Sequence, residues 1–285
     1  MSNYTILNGE FKSVESPVLS YTNRGFNYGD GIFETIRVIN NEMLFWEDHY
    51  FRLMSSMRIM RMEIPQEFSP ENLEQEVKSL IEKNDLTDKP VRVKFNVFRK
   101  PGGFYTPATR DVDYLINVSE IENAFYQFPK QDNYQVELFK DHYILSGLLS
   151  SIKSTNKAVN VLAGIYAEEN DYDNCLLINE SKSVVEAING NIFLVKANTI
   201  KTPPLSDGCL NGILRKQIID IVKNNEELEI DETSVSPFEL QKADEFFITN
   251  IISEIIPINK YRKKEYDNSI CQKLLGQLNA KARLG

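Results

Sequence analysis

The chain is poor in the residues that build metal and thiol chemistry. It has 3 cysteines and 2 histidines among 285 residues. Cys175, Cys209 and Cys271 form no C-x-x-C pair of the kind that marks zinc or redox sites. We therefore expect buried or incidental thiols and no metal site. The two histidines, His49 and His142, lie far apart in the sequence, which disfavours a histidine-based catalytic triad.

Positive charge is also scarce. Asp and Glu number 41 against 32 Lys and Arg, which gives a formal net charge of -9. Nucleic acids and anionic membranes bind clustered Lys and Arg, so this balance disfavours both and favours a small-molecule substrate. The sequence shows no membrane-spanning apolar run and no basic and apolar signal segment. We expect a cytoplasmic protein.

The common nucleotide-binding signatures are missing as well. Neither G-x-x-x-x-G-K-[ST] nor G-x-G-x-x-G occurs, so ATP and NAD lose support as ligands. What the chain does have is enough length and 42% hydrophobic residues for two folded domains. We place a small N-terminal α/β domain at residues 1–122, a linker at 123–133 and a larger domain at 134–285.

Apolar spacing predicts short strands interspersed with single helices. The predicted helices cover residues 48–62, with Asp48 as a cap, 70–83, 156–169 and 211–223. The predicted strands cover residues 91–97, 135–139, 173–179, 183–186, 191–195 and 245–249. This mixture is typical of an α+β fold rather than a doubly wound sheet. Alternation in the first strand puts Arg92, Lys94 and Asn96 on one face, which either faces solvent or offers cations to an anionic substrate.

Five segments of the sequence resemble, in their order and spacing, the conserved segments of one enzyme family. They are NRGFNYGDGIFETIR at 23–37 with HYFRL at 49–53, IKSTN at 152–156 with VNVLA at 159–163, VEAINGNIF at 185–193, LNGILR at 210–215, and TN at 249–250 ahead of EIIP at 254–257. Together they resemble the class IV (fold-type IV) pyridoxal-phosphate-dependent aminotransferases. That family includes branched-chain and D-amino acid aminotransferases and 4-amino-4-deoxychorismate lyase. The resemblance implies a small α/β domain, a larger domain with a mixed, barrel-like sheet, and a homodimer.

The resemblance also assigns residues to the cofactor, pyridoxal 5'-phosphate. Lys153 would be the catalytic lysine that supplies the amine for attachment, and Glu186 would keep the pyridine nitrogen protonated. Arg52 and the backbone amides of Ile213 and Leu214 would bind the phosphate, a dianion that needs cationic and backbone donors.

Substrate recognition is implied by other positions. The resemblance also implies that Asn250 and Ile251 bind the cofactor, because their loop corresponds to one that holds phosphate or carboxylate, although relatives often carry a small hydroxyl residue where this chain has Ile251. The pocket walls would come from the first segment and the small-domain strand, at Tyr28, Phe33, Arg37 and Lys94.

Three activities stay open within the family. An aminotransferase acting on branched-chain amino acids with a 2-oxo acid suits the apolar Phe33, Ile213 and Ile251. A D-amino acid aminotransferase is similar at the 152–163 segments, but Arg99-Lys-Pro-Gly-Gly-Phe-Tyr replaces its basic carboxylate trap. A 4-amino-4-deoxychorismate lyase, which would release pyruvate and 4-aminobenzoate, is similar at the 210–215 segment and at residues 249–250. Against it, Phe-Tyr follows Gly102-Gly103 where a basic residue would be expected.

Overall fold

The structure is a computed structural model that describes residues 3–16, 19–128 and 133–284. The chain divides into two compact units, Met1–Phe125 with Ile152–Asn156, and Tyr126–Ser151 with Lys157–Gly285. The sequence did not predict that residues 152–156 group with the first unit. Of the predicted linker, residues 129–132 lie outside the described residues. None of the described helices is both long and apolar enough to cross a membrane.

The first unit is a six-stranded sheet whose one face is covered by two helices. Its strands are β1 (Tyr4–Leu7), β2 (Glu10–Ser13), β3 (Gly31–Ile39), β4 (Glu42–Met43), β5 (Val91–Arg99) and β6 (Val112–Glu120), in the spatial order β2-β1-β6-β5-β3-β4. Its helices are α1 (Arg24–Tyr28), α2 (Trp46–Ile59) and α3 (Pro70–Lys83). The described pairings are antiparallel. Apolar residues of α2 and α3, such as Leu53, Met57 and Val77, fill a core against this sheet.

The start of α2 corrects the sequence interpretation. Asp48 is not its cap, because the helix begins at Trp46 after Phe45, which adopts a left-handed conformation with φ 55°. Asp48 instead lies in the first turn beside Glu47, where a negative charge interacts favourably with the helix dipole. By contrast, α3 has the predicted bounds, since Ser69 caps it and Pro70 occupies its first turn.

The second unit contains two mixed five-stranded sheets, which curl into a half-barrel. One has the order β12-β11-β10-β13-β14 and the other β16-β15-β7-β8-β9. The strands are β7 (Gln135–Ile144), β8 (Asn174–Asn179), β9 (Val184–Ala187), β10 (Asn191–Lys196), β11 (Thr199–Thr202), β12 (Glu229–Glu232), β13 (Glu245–Asn250), β14 (Glu254–Pro257), β15 (Lys260–Tyr261) and β16 (Lys264–Glu265). The helices are α4 (Leu148–Ser151), α5 (Ala158–Glu169), α6 (Ile213–Lys223), α7 (Pro237–Leu240) and α8 (Ser269–Leu284), with a 3₁₀ turn at Leu205–Asp207.

Each five-stranded sheet contains short strands that are buried over most of their length, namely β8 and β9 in one sheet and β10, β13 and β14 in the other. In β8, β9 and β10 nearly every residue is buried, so their sequences read as continuous apolar runs with few polar members. Glu186, on β9, is one of those few. A buried carboxylate in such a strand calls for a polar partner, because charge removed from water is costly unless paired or hydrogen-bonded.

Candidate active site

The segment that carries Lys153 runs along the edge of β3. The Phe33 amide donates to the Lys153 carbonyl at 2.8 Å, and the Thr155 amide donates to the Gly31 carbonyl at 2.9 Å. Ile32 forms an antiparallel bridge with Ser154 between these two bonds. The Lys153 backbone is therefore fixed to β3 on both sides.

The ring of Phe33 lies close to two ammonium groups. Lys153 Nζ is 4.6 Å and Lys94 Nζ 5.2 Å from its centroid. Phe33 and Lys94 share a sheet face, since Thr35 stands opposite Lys94 in the β3–β5 pairing. Lys94 is exposed on the same face of β5 as Arg92, the shared face that the alternation in β5 predicted. The structure thus brings together three of the sequence-predicted site residues.

On the other face of β3, Glu34 holds two side chains of α2. Its carboxylate accepts from Arg52 Nε at 2.8 Å and Nη2 at 2.6 Å, and pairs with His49 Nδ1 at 2.8 Å. His49 and Arg52 are three residues apart and so lie on one helix face. The side chains of Glu34, His49 and Arg52 are 2%, 0% and 8% exposed. Arg52 is therefore held in a buried, bidentate ion pair.

The charges and burial around Glu34, His49 and Arg52 determine the protonation states of Glu34 and His49. Burial alone would raise the pKa of Glu34, but the charge and hydrogen bonds of Arg52, with the His49 contact, outweigh it and lower the pKa to about 2. Burial lowers the pKa of His49, and the charges of Arg52 and Lys153 lower it further against the opposing effect of Glu34. At neutral pH we therefore expect an ionised Glu34 and a neutral His49 that donates from Nδ1. No partner among the described residues reaches its buried Nε2.

Two further predicted residues have different surroundings. Tyr28 is 43% exposed, and its ring packs 4.7 Å below the Arg24 guanidinium and 5.9 Å from the ring of Tyr105. Arg37 is only 1% exposed, and its Nη2 donates to the carbonyls of residues 123 and 124. The structure thus ties Arg37 to the end of the first unit, which the sequence did not indicate.

In the second unit, Glu186 organises a loop. The carboxylate is 7% exposed, and its Oε2 accepts from the Leu210 amide at 2.9 Å. Asn191 Nδ2 donates to the carbonyl of the same Leu210 at 2.7 Å. Two polar side chains from β9 and β10 therefore fix the chain just before α6.

That loop leads into the N-terminus of α6. Gly212 precedes the helix and offers no side-chain cap, so the first amides, those of Ile213 and Leu214, have neither a cap nor an intrahelical acceptor. A Cβ at Gly212 would come within 2.0 Å of Asn191 Oδ1. Glycine is therefore required for this close approach, and the helix dipole favours an anion at the uncapped amides.

The turn between β13 and β14 holds the last two predicted residues. Asn250 Oδ1 accepts from the amides of Ile252 at 3.0 Å and Ser253 at 2.7 Å. The Ile251 carbonyl accepts from the Tyr126 hydroxyl at 3.3 Å. The Asn250 side chain thus shapes the turn itself.

Sequence reasoning missed Glu34 and Asn191. Both lie inside quoted segments, but neither was given a role. The signal for Glu34 was its position in a strand opposite a helix that offers His49 and Arg52, since a carboxylate facing a buried arginine forms an ion pair. The signal for Asn191 was a polar residue directly ahead of four apolar residues in the same strand.

Comparisons with known proteins identify the family of the chain. The profile of the family described as Amino-transferase class IV matches residues 31–261. D-alanine aminotransferase of Bacillus licheniformis is 28% identical over 264 residues, which cover 89% of this chain and 86% of that protein.

Two solved structures are similar in fold. The branched-chain aminotransferase of Thermoproteus uzoniensis, crystallised with norvaline, gives a TM-score of 0.85 at 25% identity over 97% of this chain and 93% of that one. A provisionally assigned 4-amino-4-deoxychorismate lyase of Legionella pneumophila gives 0.83 at 24% identity over 94% of this chain and 97% of that one, a likeness that shows the fold alone. The predicted α+β, fold-type IV architecture is confirmed. The chain belongs to the class IV aminotransferase family.

Proposed function

We propose that the protein is a pyridoxal-phosphate-dependent aminotransferase that moves an amino group between an amino acid, with branched-chain amino acids favoured, and a 2-oxo acid. Enzymes of this family depend on pyridoxal 5'-phosphate. The observation that supports the proposal most directly is the placement of Lys153. Its backbone is hydrogen-bonded along β3, and its amine lies over the Phe33 ring.

The residues present fit this cofactor. Lys153 has the amine that would attach to the cofactor aldehyde, and Glu186 has a buried carboxylate that would keep the pyridine nitrogen protonated. The missing Cβ at Gly212 lets the Asn191 side chain approach the start of α6, beside the first amides of the helix. Such a helix start binds phosphate through its backbone donors, so we assign this role to Ile213 and Leu214.

Arg52 is the proposed cation for the phosphate. Its two bonds to Glu34 neutralise much of its charge but fix the direction of its planar guanidinium. Because the pKa of Glu34 is about 2, this orientation persists throughout the neutral pH range. Glu34 and His49 are therefore assigned as residues that hold Arg52.

Lys153 is the proposed acid and base. When bound, pyridoxal phosphate withdraws electrons from the attached amino acid and so acidifies its α-hydrogen. Lys153 Nζ would take that proton and return it to a different carbon, which is the step that moves the amino group. The Phe33 ring shields one side of Nζ from water. The backbone hydrogen bonds between the Lys153 segment and β3 keep Lys153 in place when its side chain is not attached to the cofactor.

The substrate assignment rests on the surroundings of Phe33. Its ring, together with Tyr28, offers apolar contact to an aliphatic side chain. Lys94 lies at the same ring and could pair with the second carboxylate of a partner such as 2-oxoglutarate. By the family resemblance we also assign Ile213, Asn250 and Ile251 to cofactor binding and Arg37 to substrate binding. Arg37 is only 1% exposed, so it would contribute from a buried position.

The competing activities are a lyase and a D-amino acid aminotransferase. The lyase would use the same lysine and cofactor but release pyruvate from 4-amino-4-deoxychorismate, and the 210–215 segment is what favours it. The D-specific enzyme is supported by the similarity to D-alanine aminotransferase. We also propose a cytoplasmic homodimer. Its support is the family resemblance and an exposed apolar surface on α4 and α5, formed by Leu148, Leu149, Val161, Leu162 and Ile165.

The first experiment tests cofactor attachment. Purified wild-type protein should be yellow, and borohydride should bleach the absorbance band and leave the adduct on Lys153 in a peptide map. Lys153→Ala should lose the attachment, whereas the nearby Lys157→Ala should keep it. An adduct on another lysine, or a Lys153→Ala protein that still forms one, would overturn the assignment.

The second experiment separates the activities. The protein is incubated with L-leucine, L-valine or D-alanine in the presence of 2-oxoglutarate, and separately with 4-amino-4-deoxychorismate. Glutamate formed from the branched-chain substrates supports the proposal. Release of 4-aminobenzoate and pyruvate identifies the lyase, and activity confined to D-alanine identifies the D-specific enzyme.

A further inference from the structure

The carboxylate of Glu186 stands on a short strand at the edge of its sheet. β9 has 4 residues and lies at one end of the five-stranded order, where it pairs with β8. The register of that pairing shifts directly after Leu177, the residue opposite Glu186. The position of the Glu186 side chain therefore depends on the contacts that hold the end of β9.

That end is a tight turn that leads into β10. The Ala187 amide donates to the Gly190 carbonyl at 2.8 Å. We call residues 187–190 the β9–β10 turn. Glu186 lies directly before this turn and Asn191 directly after it, and the two side chains hydrogen-bond the amide and the carbonyl of Leu210. One turn therefore sets the positions of both side chains.

Asn160, in the first turn of α5, holds the β9–β10 turn from one side. Its Nδ2 donates to the Ile188 carbonyl at 2.8 Å. Asn160 belongs to the 159–163 segment and is half-buried. Asparagine is a poorer helix former than alanine, so helix propensity gives no reason for it in this otherwise apolar segment. The bond to the turn does give one.

Asn174, the first residue of β8, holds the turn from another side. Its Oδ1 accepts from the amides of Ile188 at 3.2 Å and Cys175 at 2.9 Å. Its Nδ2 donates to Asn189 Oδ1 at 2.9 Å and to the Tyr134 hydroxyl at 3.1 Å. An asparagine amide has two donors and two acceptor lone pairs, so all of them are used here. Aspartate has the same shape but would lose both donated bonds.

Both asparagines meet at Ile188. Asn160 donates to its carbonyl and Asn174 accepts from its amide, so side chains contact both polar backbone groups of this residue. The Ile188 amide also donates to the Cys175 carbonyl at 3.1 Å. A backbone rotation at Ile188 would break these bonds and, since Glu186 lies close in the chain, would move its carboxylate away from the Leu210 amide.

We propose that Asn160 and Asn174 are positioning residues for the cofactor, which hold the β9–β10 turn so that the Glu186 carboxylate keeps one orientation toward the bound pyridine nitrogen. The part that concerns the cofactor rests on the proposed function. The bond between Glu186 and the Leu210 amide does not, and it gives a readout in protein without cofactor.

Hydrogen exchange followed by mass spectrometry tests the holding of the turn. Asn160→Asp keeps the shape of the side chain and suits the helix dipole in the first turn of α5, but it cannot donate to Ile188. In the full chain without cofactor, the peptide with the Leu210 amide should exchange about fivefold faster than in wild type, the effect of one lost hydrogen bond on local opening. Asn174→Asp loses two donated bonds and should exchange faster still. Equal exchange in both variants and wild type would overturn the positioning role.

Asn72→Asp is the matched control. Asn72 is the third residue of α3, as Asn160 is the third residue of α5. Its Nδ2 also donates to a backbone carbonyl, that of Glu67 at 3.2 Å. This substitution should leave the exchange of the Leu210 peptide and the binding of the cofactor at wild-type values. Asn160→Gln retains a donating amide, so its exchange rate should lie between those of wild type and Asn160→Asp.

Binding of pyridoxal phosphate tests the role of the turn in the site. Asn160→Asp should raise the dissociation constant about fivefold in a fluorescence titration. When Asn160→Asp is added to Glu186→Ala, the further rise should be less than about twofold, because two residues that act through one contact have non-additive effects. A full fivefold rise in the Glu186→Ala background would show that Asn160 does not act through Glu186, and would overturn the proposal.

The outcomes separate the two proposals. A wild-type protein that binds no pyridoxal phosphate sinks the proposed function, while the exchange of the Leu210 amide still decides whether the asparagines hold Glu186. A wild type that binds the cofactor, with unchanged binding in Asn160→Asp despite faster exchange, overturns the positioning role alone. Faster exchange throughout the second unit of Asn160→Asp, rather than at this peptide, would reduce Asn160 to a general structural role and overturn it as well.

Discussion

Replacing Glu34 with Gln tests the buried group that holds Arg52. The change keeps the shape of the side chain but removes the charge that faces Arg52 and His49. Removing one partner of a buried pair costs about 3–5 kcal/mol, because the other charge stays buried without compensation. The fall in the pKa of Glu34 from 4.5 to about 2 corresponds to about 3 kcal/mol at pH 7, in agreement with that range.

The same shift gives a pH dependence of known sign. Since the pKa of Glu34 is lower in the folded protein than the ordinary 4.5, ionised Glu34 stabilises the fold fully above that value. The contribution is lost as the pH falls toward about 2. Linkage gives a loss of about 0.8 kcal/mol by pH 4 and about 2 kcal/mol by pH 3. Glu34→Gln lacks this dependence, so the stability difference between the two proteins should narrow over this range.

Urea unfolding followed by circular dichroism at pH 7, 4 and 3 measures the difference. Glu76→Gln is the control, because burial raises the pKa of Glu76 against the hydrogen bond from Tyr114, and the sign is reversed. Wild type should gain stability relative to Glu76→Gln as the pH falls. A difference between wild type and Glu34→Gln that stays constant from pH 7 to pH 3 would refute the reasoning.

Three further substitutions test other features. Gly212→Ala should weaken pyridoxal phosphate binding about tenfold or more in a fluorescence titration, because the new Cβ would clash with Asn191. The control Gly276→Ala should bind the cofactor as wild type does, because a Cβ at Gly276 would meet no atom within 4 Å. Lys94→Ala should raise KM for 2-oxoglutarate but not for L-leucine in a coupled assay, and an equal rise for both would contradict its role. Leu162→Asp should shift the protein toward monomer in sedimentation velocity, whereas the exposed Val14→Asp should not.

The fold class could be predicted because its signals are local. The helix at 70–83 has a serine cap, a proline in its first turn and an apolar face, and the structure has the same bounds. The alternation in β5 likewise predicted that Arg92 and Lys94 share one face, and both are exposed. The predicted start of α2 was wrong, because a phenylalanine gives no sign in the sequence that it adopts the left-handed conformation seen at Phe45.

The sequence allowed candidate site residues to be named, but it did not predict the side chains that surround them. Lys153, Glu186 and Arg52 were named from segments, but the Glu34 carboxylate that holds Arg52 comes from a strand and was not given a role. Arg37 shows the reverse case. It lies in a recognised segment, yet its guanidinium is buried against carbonyls 86 and 87 residues away in the chain. Such long-range contacts depend on the tertiary fold, which local patterns do not encode.

The position of Lys153 follows from the shortness of β4. This strand pairs only with residues 38 and 39 of β3, so the first half of β3 keeps an open edge. An open edge offers unpaired amides and carbonyls, and residues 153–155 occupy them. Because these bonds are made by the backbone, Lys153→Ala should retain the wild-type circular dichroism spectrum and melting temperature without cofactor while losing borohydride-stable attachment. A Lys153→Ala protein that unfolds would show that the side chain, rather than the backbone, keeps this segment on β3.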